Sequence, residues 1–97
     1  MRITEFEKNT IKNLAIVFYG NEAKVMLFGS RVDDAQKGGD IDIFIETTLN
    51  KGIETKLNFL VQLENIIGEQ KIDLVVKSPN TIDKAIFKIA KETGIPL

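Results

Sequence analysis

The sequence predicts a small α/β (α+β) fold in which helices cover one face of a β-sheet. Three observations lead to this prediction. Apolar residues recur at helical spacing in three segments, short apolar runs form three more, and glycine or proline separates them. In chain order these segments give α-β-β-α-β-α. At 97 residues, the chain is expected to form one domain over residues 1–97.

The first helix is predicted from a capping box at residues 4–7, where the Thr4 hydroxyl and the Glu7 carboxylate can each satisfy a free backbone amide. Ile3 stands where a hydrophobic staple would pack, and Gly20 suits the C-terminal end. Between these ends, the residues that recur at helical spacing are Phe6, Thr10, Ile11, Leu14, Val17 and Phe18.

The remaining elements follow from the same signals. Strands are predicted at residues 23–28, 41–46 and 71–77, with a loop at residues 49–52. A second helix ends at Gly68 and carries, at helical spacing, Ile53, Leu57, Leu60, Val61, Glu64 and Ile67. Residues 78–80 break the chain and cap a third helix, which ends at Gly94 and carries Ile82, Ala85, Ile86, Ile89 and Ala90. We expect the apolar stripes of the helices to be core.

The second and third predicted strands separate aliphatic from acidic side chains by their alternation. One face receives Ile41, Ile43 and Ile45, and later Ile72, Leu74 and Val76. The other face receives Asp40, Asp42 and Phe44 from the second strand, and Asp73 and Val75 from the third. Asp40 and Asp42 are two residues apart, so their backbones lie about 6–7 Å apart on one face. If the aliphatic faces meet the helices, three carboxylates converge on the opposite, open face.

These residues suit a particular chemistry. Paired carboxylates bind hard cations such as Mg²⁺. Gly29-Ser30 follows the first strand, and small residues there let backbone amides and a hydroxyl approach a phosphate. Alone, a Gly-Ser pair is typical of a turn and a strand aspartate is typically solvated. Their joint occurrence favours a site for phosphoryl or nucleotidyl transfer.

Composition excludes several other classes of site. The chain has neither cysteine nor histidine, so thiol, zinc-knuckle and histidine-based catalysis are excluded. A net charge of −1 disfavours an extended nucleic acid as partner. The longest apolar stretch, residues 14–19, is too short to span a membrane, and the N-terminus does not resemble a signal peptide. We therefore expect a cytoplasmic protein without a membrane partner.

Residues 25–45, Asp73 and the closing residues 89–97 resemble the minimal nucleotidyltransferases of the DNA polymerase β superfamily. The signature of that family is an apolar residue, Gly-Ser, a polar loop, an Asp-x-Asp strand and a third aspartate on a later strand. Here its parts are Phe28, Gly29-Ser30, residues 31–39, Asp40-Ile41-Asp42 and Asp73. The resemblance covers nearly the whole chain and implies the small mixed-sheet nucleotidyltransferase fold.

The resemblance also implies a mechanism. Asp40, Asp42 and Asp73 would hold two Mg²⁺ ions roughly 3.5–4 Å apart, with Mn²⁺ as the alternative metal. Asp73 would also help to take a proton. Gly29 and Ser30 would anchor the β- and γ-phosphates, and the Arg31 guanidinium would meet phosphate oxygens. The outcome would be transfer of NMP from an NTP, expected to be AMP from ATP, to a hydroxyl, with release of pyrophosphate.

The same resemblance implies a partner. Minimal nucleotidyltransferases of prokaryotes are commonly paired with an all-helical HEPN-domain protein. The chain would then be an antitoxin that modifies a tyrosine hydroxyl near the active site of a HEPN ribonuclease toxin. Larger relatives carry a separate domain for the acceptor. A chain of 97 residues has little room for one, so we expect the partner to supply that surface.

Two alternatives remain open. Many relatives read Gly-Ser-Arg-Ala-Arg-Gly, whereas here Arg31 is followed by Val32, Asp33 and Asp34. An acidic pair beside a triphosphate favours a module that neutralises its partner by contact alone, whereas the complete carboxylate set favours an enzyme. The second alternative is a small-molecule, aminoglycoside-type nucleotidyltransferase, which the missing acceptor domain disfavours.

Overall fold

The computed structural model describes residues 3–28, 41–68, 71–79, 92 and 94–97. Within these ranges the elements are α1 (Glu5–Tyr19), β1 (Lys24–Phe28), β2 (Ile41–Glu46), α2 (Ile53–Ile67), β3 (Ile72–Lys77) and β4 (Ile95–Pro96). The predicted order is confirmed from the first helix to the third strand. The third helix predicted over residues 82–90 lies outside the described residues, and β4 was not predicted.

Both ends of α1 form as the sequence predicts. The Glu7 amide donates to Thr4 Oγ1 at 3.0 Å and the Thr4 amide donates to Glu7 Oε1 at 2.9 Å, which completes the capping box. At the other end, the Gly20 amide donates to the Ile16 carbonyl at 3.0 Å with a φ of 96°. That φ is one that side chains disfavour, and a Cβ there would lie 3.1 Å from Leu49 Cδ1. Glycine is therefore required at this turn.

The four described strands form one mixed sheet in the order β3-β2-β1-β4. β1 pairs antiparallel with both β2 and β4, whereas β2 pairs parallel with β3 across the crossover helix α2. The small mixed α+β fold predicted from the sequence is therefore confirmed. β4 has only two paired residues, and its Pro96 is tolerated because it lies at the edge of the sheet.

One hydrophobic core lies between the sheet and the two helices. Its buried members are Ile11, Ala15, Tyr19, Leu27, Ile41, Ile43, Ile45, Phe59, Leu63 and Leu74. The Phe59 ring centroid lies 6.2 Å from that of Phe18 and 6.0 Å from that of Tyr19. These aromatic contacts join α1 to α2. Both helices thus cover the aliphatic face of the sheet, as the alternation predicts.

The opposite face of the sheet, which we call the distal face, carries a smaller apolar cluster. Phe28 and Phe44 are buried there, and Met26 and Val75 pack against them. The Phe44 side chain is only 1% exposed. The expectation of an open face is therefore wrong at its centre, and the polar side chains of this face lie at its two ends.

The predicted helical stripes are partly wrong. Five apolar residues expected in the core are exposed instead: Phe6, Val17, Ile53, Leu57 and Val61. Both helices carry more apolar residues than one face can bury, so periodicity alone does not decide which set turns inward. The contact between Tyr19 and Phe59 sets the rotation, because large rings contribute most to burial.

In the part of the chain that the structure describes, neither helix has the length and apolarity that crossing a membrane would require.

Candidate functional site

Asp42 and Asp73 are direct neighbours across the parallel pair of β2 and β3. The register makes them Cα partners, and the Ile41 amide donates to the Lys71 carbonyl at 3.0 Å just before this pair. Neighbouring strands are about 4.7–4.9 Å apart, and residues in register share a face. Both carboxylates therefore leave the distal face side by side, Asp42 half-buried and Asp73 exposed.

Phe28 completes this end of the distal face. It is the last residue of β1, and the antiparallel register makes it the Cα partner of Asp42. Asp42 thus lies between Phe28 on one side and Asp73 on the other. In the sequence, Gly29 follows Phe28 directly and Asp40 directly precedes Ile41. The predicted site residues Gly29, Ser30, Arg31 and Asp40 themselves lie outside the described residues.

The apolar cluster of the distal face lies next to the carboxylate pair on both strands. Phe44 and Val75 follow Asp42 and Asp73 by two residues and are themselves Cα partners. On the reverse side, the strands are held by the helix-covered core, in which Ile41 and Ile43 are fully buried. Packing on both faces fixes the two strands, so the direction of the two carboxylates is set by the backbone.

The opposite end of the distal face has a different charge pattern, which the sequence analysis did not identify. Glu46 is the Cα partner of Lys24 on β1 and of Lys77 on β3. Lys77 Nζ lies 4.0 Å from Glu46 Oε2. A cavity of about 260 Å³ opens at this end, lined by these three residues together with Thr47, Thr48 and Ser78. The same alternation that places Asp42 and Asp73 on this face also places Glu46 and Lys77 there, and it could have predicted this second polar end.

Thr47 fixes the turn at that same end. Its hydroxyl donates to the Tyr19 carbonyl at 2.7 Å and accepts from the Leu49 amide at 3.0 Å. The first bond satisfies one of the carbonyls that the end of α1 leaves free. Thr47 is 5% exposed, and its hydroxyl is occupied by these bonds. We therefore interpret this end as structural.

The carboxylate pair has donors that match a divalent cation. Carboxylate oxygens are the ligands that Mg²⁺ and Mn²⁺ prefer, and two in register on one face can contact a common ion. Like charges on directly opposed residues repel, and a cation removes that cost. Among the described residues, no group of three or more acidic, histidine or cysteine side chains could hold a metal. The third predicted carboxylate, Asp40, belongs to the part not described.

Comparison with known proteins is consistent with this geometry. No curated protein matches the sequence significantly. The family model described as polymerase beta, nucleotidyltransferase, matches residues 6–95, which extend from the second residue of α1 to the first residue of β4 and include all the predicted site residues. The chain therefore belongs to the polymerase β nucleotidyltransferase family.

Proposed function

We propose that this protein is a metal-dependent nucleotidyltransferase that transfers AMP from ATP to a protein hydroxyl. The observation that carries the proposal is the pairing of Asp42 with Asp73 in register on one face. Membership of the family supports a transferase of nucleotidyl groups at the general level. The nucleotide, the metal and the acceptor are the parts that we propose.

The proposed roles follow from where each residue stands. Asp40, Asp42 and Asp73 hold Mg²⁺, with Mn²⁺ as the alternative. The bound metal supplies Lewis-acid stabilisation of the charge that develops on the phosphates. Gly29 and Ser30 come directly after Phe28, the neighbour of Asp42, so a phosphate chain bound by them would lie beside the carboxylates.

The proposed reaction is a single displacement. The acceptor hydroxyl oxygen forms a bond to the α-phosphorus of ATP, while the bond from that phosphorus to the bridging oxygen breaks and pyrophosphate leaves. The Asp73 carboxylate accepts the hydroxyl proton, since it is exposed at the edge of the pair and no histidine is available. Arg31 offsets negative charge on the phosphate oxygens.

For the acceptor, we propose a tyrosine hydroxyl of a HEPN-domain toxin, which makes this protein an antitoxin. The support is the resemblance of residues 25–45 and Asp73 to minimal nucleotidyltransferases. Modification by AMP adds a bulky anion to the toxin, which blocks a site that binds RNA phosphates.

The test is incorporation of labelled AMP into a purified HEPN partner in the presence of Mg²⁺. Wild-type protein should label the partner, and Asp42→Ala should abolish labelling while circular dichroism stays native, because Asp42 is not among the buried residues of the hydrophobic core. Glu46→Ala is the matched control, since it removes a carboxylate from the same strand and face. It should retain activity.

The alternative is a module that neutralises its partner by contact alone, which the acidic pair Asp33-Asp34 favours. The same experiment separates the two. Silencing of the partner without nucleotide incorporation, with Asp42→Ala silencing equally well, would make the contact-only module the better account.

A further inference from the structure

Helix α2 presents an apolar stripe to solvent. Ile53, Leu57 and Val61 are 64%, 53% and 54% exposed. They are four residues apart, so they lie along one side of the helix over two turns. The buried residues Phe59 and Leu63 face the core from a different side of the same helix. Three large apolar residues in one exposed row exceed the scattered exposure that is ordinary on protein surfaces.

The stripe lies toward the β3 edge of the molecule. Ile53, at its start, lines a cavity of about 210 Å³ together with Val76 of β3. β3 is the terminal strand of the described sheet. No other strand of the described sheet therefore lies beyond this edge.

An exposed lysine stands at one end of the stripe, together with the exposed Glu54 beside Ile53, and an exposed glutamate stands at the other end. Lys51 precedes the helix and Glu64 lies near its C-terminal end, and both are exposed. They are six and seven residues from Leu57, the middle of the stripe. Neither forms an ion pair with another described residue. Glu64 shares a side of the helix with Leu57, since it follows by seven residues.

We propose that this stripe docks against the same stripe of a second copy of the chain, as an antiparallel pair of α2 helices about a twofold axis at Leu57. Rotation about that axis places Leu57 against its own equivalent and Ile53 against Val61 of the second copy. The same rotation brings Lys51 of one copy beside Glu64 of the other, so two identical ion pairs close the two ends. A surface that complements itself in both shape and charge is the requirement for a closed twofold dimer.

The charge arrangement is what selects a second copy over another partner. An unrelated apolar helix would fit the three side chains, but it need not offer a cation at one end and an anion at the other in reversed order. This chain does offer them, at six and seven residues from Leu57, which is within one residue of the equal spacing that antiparallel pairing about Leu57 needs. Three apolar side chains from each copy make a small contact, so we expect the dimer to form only at high protein concentration.

The first test is sedimentation of the full chain over a range of concentrations. Wild-type protein should pass from monomer to dimer, and Leu57→Glu should weaken association at least about tenfold, because the twofold axis sets two like charges against each other. Val17→Glu is the matched control, since Val17 is 73% exposed and belongs to α1 and not to the stripe. It should dimerise like wild type. Circular dichroism checks that both variants fold.

The second test reverses the end charges. Lys51→Glu and Glu64→Lys should each weaken the dimer, and the double variant should restore it, because the pairs re-form with the charges exchanged. Wild-type protein that stays monomeric at every concentration would overturn the proposal. A dimer that survives Leu57→Glu would also overturn it, because the two copies would then meet through another surface. So would a double variant that dimerises as weakly as the single variants, because Lys51 and Glu64 would then not form the proposed ion pairs.

Discussion

The distal face of the sheet has two polar ends, and they differ in the charges that the register brings together. At one end Asp42 is paired with Asp73, so two carboxylates stand side by side. At the other end Glu46 stands between Lys24 and Lys77, with a distance of 4.0 Å between Lys77 Nζ and Glu46 Oε2. The apolar cluster around Phe44 separates the two ends.

Under the proposed function, one end of this sheet face contributes to stability and the other end contributes to chemistry. Cross-strand pairs of opposite charge stabilise a sheet slightly, whereas like charges directly opposite destabilise it. Two carboxylates in register therefore stabilise the sheet less than a pair of opposite charges does. Arrangements that break a local rule in this way are typical of functional sites.

The largest effect is expected for loss of one charge at the acidic end. Asp73→Asn should lower AMP transfer by about 100-fold or more, because even outer partners of metal ligands contribute about 10–100-fold. Glu46→Gln makes the same chemical change at the other end and should leave the rate within about twofold of wild type. The measurement is the initial rate of pyrophosphate release with the acceptor present. Equal losses in the two variants would remove the distinction between the ends.

A smaller loss is expected for the predicted phosphate contact. Ser30→Ala should slow transfer by roughly 10–150-fold, since a hydrogen bond to a charged group contributes about 1.5–3 kcal/mol. Ser78→Ala is the control, because Ser78 lines the cavity at the opposite end. Single-turnover rates measure both. A rate for Ser30→Ala equal to that of Ser78→Ala would assign the phosphates to other residues.

The smallest effect concerns stability without metal. In the presence of a chelator, Asp73→Asn should raise the free energy of unfolding by about 0.2–1 kcal/mol, because it removes the repulsion from Asp42. Glu46→Gln should lower that free energy by about 0.2–1 kcal/mol, because it removes the half-buried ion pair with Lys77. Urea denaturation of both variants measures the two signs. If both variants changed the free energy of unfolding in the same direction, the difference between the two ends of the distal face would be contradicted.

The strand faces could be predicted from the sequence because alternation is fixed by the backbone. Ile41, Ile43 and Ile45 had to share one face, and that placed Asp42 on the other. The side-by-side position of Asp42 and Asp73 needed one more fact, the parallel register of β2 with β3, which depends on contacts distant in sequence. Residue types alone could not supply it.

The helix faces were harder to predict, for a physical reason. Helix α2 has apolar residues on several sides, and burial of Phe59 against Tyr19 left Leu57 and Val61 in solvent. Such a choice between two apolar stripes is made by tertiary packing. The strand β4 was missed because two residues containing a proline give no periodic signal. The acidic site depends on neither feature.

The most direct test of the proposed metal site is thermal unfolding with and without Mg²⁺. The melting temperature of the wild-type protein should rise when Mg²⁺ is added, because the ion binds only the assembled carboxylates. At a Mg²⁺ concentration of 100 times its Kd, the free energy of unfolding should rise by about 2.7 kcal/mol. Asp42→Asn should lose most of this gain, and Glu46→Gln should keep it. A Mg²⁺-induced rise of the same size in wild type and Asp42→Asn would contradict the account.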